Sequence, residues 1–173
     1  SGREKTRHRK RRTWRKLHLA VDVDSHEIIE AEVTRVNVGD CEVLPTLLNR
    51  VDRNIAEVSA DGAYDTQEFY EVLKKKKSKP LIPPRKNAAL WEKGHPRNDV
   101  VLALKAETLA QWKIENGYHA PSLSETAKYR YKTLTSGTFS LRCYTAQVNE
   151  ALTNVKILNA VIGLGMPERK AIV

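Results

Sequence analysis

The sequence has few of the features that mark disulfide-bonded, metal-cluster or membrane proteins. It contains only two cysteines, Cys41 and Cys143, in 173 residues. Two thiols cannot hold a metal cluster by themselves, and a single disulfide is not expected in a reducing compartment. No segment approaches the roughly 18 apolar residues of a membrane helix, and the basic amino terminus lacks the apolar core of a signal peptide. We therefore expect a cytoplasmic protein with small, buried cysteines.

Internal repeats, low-complexity linkers, zinc modules and an evident helix-turn-helix motif are also missing from the sequence. Its 40% hydrophobic and 29% charged residues are ordinary for a soluble globular protein. A chain of this length forms one domain with a real core.

Positive charge is concentrated at the amino terminus. Residues 1–16 hold nine of the lysines and arginines against one acid, Glu4, so this segment carries +8 of the net charge of +9. The other 157 residues are nearly neutral. We divide the chain into a basic arm, residues 1–13, and a domain over residues 14–173. The arm predicts contact with DNA or RNA, and the alternative is a solvated tail.

Hydrophobic periodicity predicts a mixed α/β order of strand, strand, helix, strand, helix, strand and then helices. Residues 13–23 and 28–34 alternate as two strands of a hairpin. Asp40 is predicted to cap a helix that ends near Arg50, and Thr66 a helix that ends at Lys74–Lys77. Short strands are predicted over residues 55–60 and 80–84. The last predicted helices cover residues 100–115, 123–135 and 145–164.

Two acidic residues lie where chemistry could occur. Asp61 follows the strand over residues 55–60 and precedes Gly62, which allows another group to approach closely. Its carboxylate could bind Mg²⁺ or Mn²⁺, or Asp61-Gly62 could simply form a turn. Glu125 lies on one helical stripe with Lys128 or Tyr129 and Lys132, which suits a metal-dependent phosphodiester site. The alternative is a capping box with Ser122 as the N-cap.

A family resemblance is carried by six segments, which follow one another in the order Trp14 to Asp22, Val58 to Asp65, Ile82 to Ala88, Tyr118 to Lys132, Leu158-Asn159 and Leu164 to Pro167. In this order they resemble bacterial insertion-sequence transposases of the DDE class, in particular the insertion-sequence four/five-like group. The resemblance makes residues 14–173 the catalytic domain. The resemblance covers nearly the whole chain. Its most specific part is the family pattern Tyr-x2-Arg-x3-Glu-x6-Lys, matched by Tyr118, Glu125 and Lys132.

The resemblance implies an RNase H-like fold, with a mixed sheet flanked by helices and two divalent ions, Mg²⁺ or Mn²⁺, between carboxylates. Asp61 would be the second aspartate and Glu125 the glutamate, both catalytic and both metal ligands. DNA, as transposon ends and target, would be the partner, and the protein would act as a homo-oligomer. The residues expected to contact DNA are Arg11, Arg12, Arg15, Lys16, Arg85, Lys86, Tyr118 and Lys132.

The sequence departs from the family pattern at two points. Position 121 is Pro121 where the family has arginine, which puts one contact in doubt. The family's first catalytic aspartate and its strand are expected upstream of Ser1, so we predict a partial domain with an unpaired sheet edge and impaired activity. Two alternatives remain: an inactive DNA-binding remnant, and a metal-dependent nuclease in which Asp22 replaces the first aspartate.

Overall fold

The computed structural model of the protein describes residues 14–118 and 121–165, with the backbone alone for residues 121–122. The predicted order of strands and helices is confirmed in this part of the chain. The strands are β1 (Arg15–Val21), β2 (Ile28–Arg35), β3 (Glu57–Ser59) and β4 (Lys79–Leu81). The helices are α1 (Asp40–Arg50), α2 (Gln67–Lys76), α3 (Arg97–Lys105), α4 (Leu109–Glu115), α5 (Pro121–Thr135) and α6 (Tyr144–Gly163).

The predicted hairpin is formed by β1 and β2, which pair antiparallel with Leu17 opposite Val33 and Leu19 opposite Ala31. The apolar side chains of β1 pack on a core shared with α5 and α6. Val155 and Leu158 of α6 are buried in this core, as the amphipathic pattern of that helix predicted. The alternation of apolar and polar residues in β1 therefore identified correctly the face of this strand that packs on the core.

A second sheet is made by β3 and β4, which run parallel with Glu57 opposite Lys79 and Ser59 opposite Leu81. Helix α2 connects the two strands, as a parallel pair requires. A separate core forms where this sheet meets α1 and α2, and its buried members are Leu48, Phe69, Tyr70, Leu73 and Ile82. The described chain is thus a mixed α/β structure with two small sheets.

The ends of two helices test the capping predictions. Thr66 caps α2, because its hydroxyl accepts the Phe69 N–H at 3.4 Å, and Lys77 ends that helix in the left-handed conformation at φ 55°. Asp40 is the first residue of α1 rather than its cap. Gly39 takes that position, and its N–H donates to the Glu42 carboxylate at 3.0 Å. The predicted cap was therefore wrong by one residue.

Two other expectations are corrected. The single helix predicted over residues 100–115 is two helices, α3 and α4, because Glu107 adopts a left-handed φ of 59° between them. The Thr108 N–H donates to the Ala103 carbonyl at 2.9 Å and so closes the end of α3.

Cys143 is exposed and Cys41 is half-buried, so neither is the buried residue that we expected. In the part of the chain that is described, no helix is long and apolar enough to cross a membrane.

Asn159 of α6 joins the last helix to the hairpin. Its side-chain amide accepts the Ile28 N–H at 2.9 Å and donates to the Ile28 carbonyl at 2.8 Å. These bonds satisfy both backbone groups at the first residue of β2. Asn159 therefore fixes where the hairpin sits on α6.

Replacing Asn159 should destabilise the fold measurably. Asn159→Ala leaves the partly buried Ile28 N–H and carbonyl without these partners, and we expect a loss of about 1–3 kcal/mol in the free energy of unfolding. Urea denaturation followed by circular dichroism measures the loss. Asn149→Ala, an exposed position on the same helix, is the matched control and should change little. Equal stability of the two variants would contradict this role for Asn159.

Candidate functional site

A groove of about 590 Å³ lies between β1 and β3, and residues of α1 and α5 also line it. Both predicted acidic residues, Asp61 and Glu125, contribute to its walls. The positively charged residues that line it are Arg15, Lys16, Lys128 and Lys132. The fold thus brings together residues that are far apart in sequence, from the two sheets and from α5.

Asp61 lies just beyond β3 and caps a single 3₁₀ turn, Gly62–Tyr64. Its carboxylate accepts the Ala63 N–H at 2.8 Å, and the residue is exposed. The turn interpretation of Asp61-Gly62 is therefore correct. It is compatible with the ligand interpretation, since the same turn holds the carboxylate at the carboxyl end of a strand and on the groove.

Gly62 suits this turn because the loop after β4 lies close to it. A Cβ atom at position 62 would come within 3.1 Å of the Pro83 carbonyl oxygen. Arg85, from the same loop, donates from Nε to the Gly62 carbonyl and from Nη2 to the Ala63 carbonyl, both at 3.0 Å. Arg85 therefore holds the Asp61 turn in place, and its expected contact with DNA stays a prediction. Lys86 is exposed in the turn that follows.

Tyr118 contacts the residue before Asp61. Its hydroxyl donates to the Ala60 carbonyl at 3.1 Å. Burial, and then the negative charge of Asp61, raise the pKa of the Tyr118 phenol above its ordinary value. Tyr118 is thus close enough to the Asp61 carboxylate to respond to its charge.

Glu125 is an exposed residue in the second turn of α5, and Lys128 and Lys132 follow it on the groove side. Of the two alternatives for the middle of the predicted stripe, Lys128 rather than Tyr129 lines the groove with Glu125 and Lys132. The helix begins at Pro121, so Ser122 lies within its first turn rather than at the predicted cap position.

The basic residues at the β1 end of the groove are held by specific contacts. Lys16 donates to the Val38 carbonyl at 2.9 Å and to the Asp40 carboxylate at 3.2 Å. The Arg15 guanidinium lies over the ring of Tyr144, 5.2 Å from its centroid. Arg11 and Arg12 lie outside the described residues. The structure therefore places Arg15 and Lys16 on the groove and leaves the arm untested.

Asp22 is engaged away from this groove. Its carboxylate accepts the N–H groups of Asp24 and Ser25 at 3.0 Å each and pairs with Arg53 at 2.5 Å. The bond from the Ser25 N–H is the largest of the causes that lower the Asp22 pKa. Val21 and Val23 line the groove, but among its described lining residues Asp22 is absent.

Histidine, cysteine and acidic side chains form no cluster of three or more with the spacing of a metal site, as far as the described residues go. Asp61 and Glu125 have the hard oxygen donors that Mg²⁺ or Mn²⁺ prefers. Two carboxylates meet the needs of such an ion only in part. A complete ligand set would need at least one further oxygen donor.

Sequence reasoning missed a buried ion pair behind the Asp61 turn. The Asp65 carboxylate accepts from Arg97 Nε at 2.5 Å and from Nη2 at 2.7 Å, and both side chains are almost fully buried. Arg97 also donates to the Ala89 carbonyl at 2.7 Å and lies over the Trp91 ring. Asp65 ends the segment Val58 to Asp65, which the sequence analysis singled out. The residues around Arg97 in the sequence gave no indication of a buried arginine.

Comparison with known proteins identifies the family of the chain. The model of the transposase DDE domain family matches residues 1–156. The match covers most of the chain, so the protein belongs to the transposase DDE domain family. No solved structure matches it.

Tyr64, which also lines the groove, should make stability depend on alkaline pH. Burial, followed by the charges of Asp40 and Asp61, raises its pKa to about 12. As the pH rises from about 10 to 12, the unfolded chain loses this proton while the folded chain keeps it, so the free energy of unfolding falls.

Urea midpoints measured between these two pH values test the effect. Tyr64→Phe should lose less stability over the window than the unaltered protein, because the group that titrates has been removed. Tyr129→Phe is the matched control, since Tyr129 is 70% exposed. The same pH dependence in all three proteins would show that Tyr64 does not contribute.

Proposed function

We propose that the chain is the catalytic part of a bacterial insertion-sequence transposase that cuts and joins DNA by a DDE mechanism. The observation that carries this proposal is that Asp61 and Glu125, 64 residues apart in the chain, line one groove together with Lys128 and Lys132. Membership of the transposase DDE domain family supports it. The chain would then act on transposon ends and target DNA, as a homo-oligomer.

The order of elements supports an RNase H-like fold for this protein. An antiparallel hairpin is followed by a helix and then by a parallel strand–helix–strand unit, with further helices after it. Asp61 follows a strand of the parallel pair at its carboxyl end, the edge at which α/β sheets commonly place ligands. Glu125, on α5, lines the same groove as Asp61.

Asp61 and Glu125 would hold a divalent cation, Mg²⁺ or Mn²⁺, through their carboxylate oxygens. Such a cation, when bound, makes water or a DNA 3′-hydroxyl a better nucleophile and stabilises charge on the leaving oxygen. The 3₁₀ turn, together with the hydrogen bonds from Arg85 to the Gly62 and Ala63 carbonyls, keeps the Asp61 carboxylate oriented in the free protein. Preorganisation of this kind lowers the cost of reaching the reactive arrangement.

Lys128 and Lys132 are suited to bind the phosphates of the DNA backbone. Both are exposed on the face of α5 that carries Glu125, so their ammonium groups can pair with phosphates beside the scissile bond. Arg15 contributes positive charge from β1. Phosphate contacts position DNA without reading its sequence. Selection of transposon ends would then depend on other contacts.

We infer reduced activity for this chain, because two carboxylates supply only part of the ligand set of a two-ion site. An inactive DNA-binding remnant is the alternative that follows from the same observation. The nuclease hypothesis requires Asp22 in the site, but its carboxylate already pairs with Arg53 and accepts two turn N–H groups. The structure thus favours the remnant over the nuclease as the second candidate.

Nicking of supercoiled plasmid in Mg²⁺ or Mn²⁺ tests the catalytic proposal. Asp61→Asn and Glu125→Gln should each lower the rate by about 100-fold or more, because each removes a charged ligand that stabilises the transition state. Asp22→Asn should leave the rate nearly unchanged, since Asp22 belongs to the hairpin turn.

The matched controls for this assay are Asp52→Asn and Glu68→Gln, which alter exposed carboxylates outside the groove. Undiminished nicking by the Asp61 and Glu125 variants would overturn the proposed site. DNA binding without any nicking would favour the remnant. Loss of nicking in Asp22→Asn, with folding intact, would favour the nuclease.

Salt dependence of DNA binding tests the role of Lys132. If its ammonium neutralises one phosphate, Lys132→Ala should reduce the slope of log Kd against log salt concentration by about 0.9. Fluorescence anisotropy with a labelled duplex measures the slope. Lys105→Ala, an exposed lysine at the end of α3, should leave it unchanged. Equal slopes for the two variants would remove Lys132 from the DNA interface.

A further inference from the structure

A second cavity, of about 640 Å³, lies between one face of α2 and the loop over residues 91–96. Among the described residues, none lines both this cavity and the groove that carries Asp61 and Glu125. A volume of this size is typical of sites that bind small organic ligands. The proposed chemistry on DNA makes no use of this cavity.

Three aromatic side chains that line the cavity hold one another in place. The ring centroids of Tyr70, Trp91 and His95 lie 4.8–5.3 Å apart, and each pair of rings meets edge to face. The Arg97 guanidinium lies 4.1 Å from the centroid of the Trp91 ring and is itself held by the buried ion pair with Asp65. This aromatic wall is therefore preformed, so a flat ligand that packs on it orders no further side chain.

Ser78 adds a polar atom that lacks a partner. The residue follows α2, lines the cavity and is only 6% exposed. Its hydroxyl oxygen is buried, and within the described structure it has no hydrogen-bond partner. Since no hydrogen bond holds this hydroxyl in one rotamer, it can turn toward a donor or acceptor in the cavity. A polar ligand would recover free energy that the unpaired hydroxyl costs.

His95 adds a hydrogen-bond donor. Its Nδ1 accepts the Arg97 N–H at 3.2 Å, so the neutral ring carries its proton on Nε2. The Nε2–H group can then donate to an acceptor on a ligand. The cavity thus combines one donor, on His95, with one hydroxyl that can donate or accept, on Ser78.

The charges around the cavity balance one another. Glu71 and Glu92 are matched in number by Lys74 and Lys93, and all four residues are exposed. Water and salt screen exposed charges of this kind. A net charge on the ligand would therefore gain little, and the cavity favours an uncharged compound.

We propose that this cavity binds a small, flat, uncharged heteroaromatic compound of two or three rings. The compound would pack on Tyr70 and Trp91. One of its acceptor atoms would bind the Nε2–H group of His95, and one of its N–H groups would donate to the Ser78 hydroxyl. Binding requires neither DNA nor a cation, so the proposal stands independently of the proposed activity.

Benzimidazole and indene test this proposal as a matched pair. The two compounds have the same shape, but only benzimidazole has an acceptor nitrogen and an N–H group. We expect benzimidazole to bind one to one with a Kd on the order of 0.1–1 mM, and about tenfold more tightly than indene. Two-dimensional NMR titrations of the ¹⁵N-labelled protein measure both affinities. Of the three tryptophan indole N–H signals, only that of Trp91 should shift.

The variant Ser78→Ala tests the hydroxyl. It should weaken benzimidazole binding about fivefold and leave indene binding unchanged. It should not lower the free energy of unfolding, because the hydroxyl that it removes has no partner in the described structure. Ser59→Ala is the matched control, since the Ser59 hydroxyl is also buried and unpaired there but lies on the groove. This control should bind benzimidazole as tightly as the unaltered chain.

Equal affinity for benzimidazole and indene would overturn the proposal, since it would mean apolar adhesion without directed hydrogen bonds. The same conclusion would follow if no signal from residues 67–78 or 91–96 showed a saturable shift, or if Ser78→Ala bound benzimidazole as tightly as Ser59→Ala. The comparison of the two compounds uses the unaltered chain, so it decides even if a variant fails to fold. The assays contain no DNA and no divalent cation, so a negative nicking result leaves their outcome unaffected.

Discussion

The buried ion pair between Asp65 and Arg97 anchors the residue that directly follows the Asp61 turn. The pair holds the segment that follows the Asp61 turn against the first residue of α3, and Arg97 also reaches the Ala89 carbonyl and the Trp91 ring. Removing one member of such a pair leaves an uncompensated buried charge, at a cost of about 3–5 kcal/mol. The turn, the loop over residues 82–96 and α3 are therefore coupled through one interaction.

Local patterns were sufficient to predict most of the elements. Alternation in β1 and β2 and the apolar stripe of α6 each reflect one face that packs on a core, and a period in the sequence reports such a face directly. The Thr66 cap involves residues only three apart. Asp61 and Glu125 were found in the same way, from a strand end and from spacing on a helix, although their meeting in one groove was implied by the resemblance alone.

Such local patterns could not predict contacts between distant parts of the chain. Asp65 and Arg97 are 32 residues apart, and neither lies in a periodic segment that would mark it as buried. The carbonyls that bind Arg85 became visible only once the turn and the loop were placed together. No glycine or proline predicted the break between α3 and α4, where Glu107 adopts the left-handed conformation.

The groove links strand pairing to the geometry of the candidate site. Asp61 follows β3 directly, so the pairing of β3 with β4 also fixes the start of its turn. The Ala60 N–H donates to the Leu81 carbonyl at 3.2 Å, which extends this pairing to the residue before Asp61. A carboxylate whose backbone is fixed in this way is preorganised, and preorganised ligands bind cations at a lower entropic cost. The sheet edge and the acidic residues are thus parts of one structural unit, although different physical interactions define them.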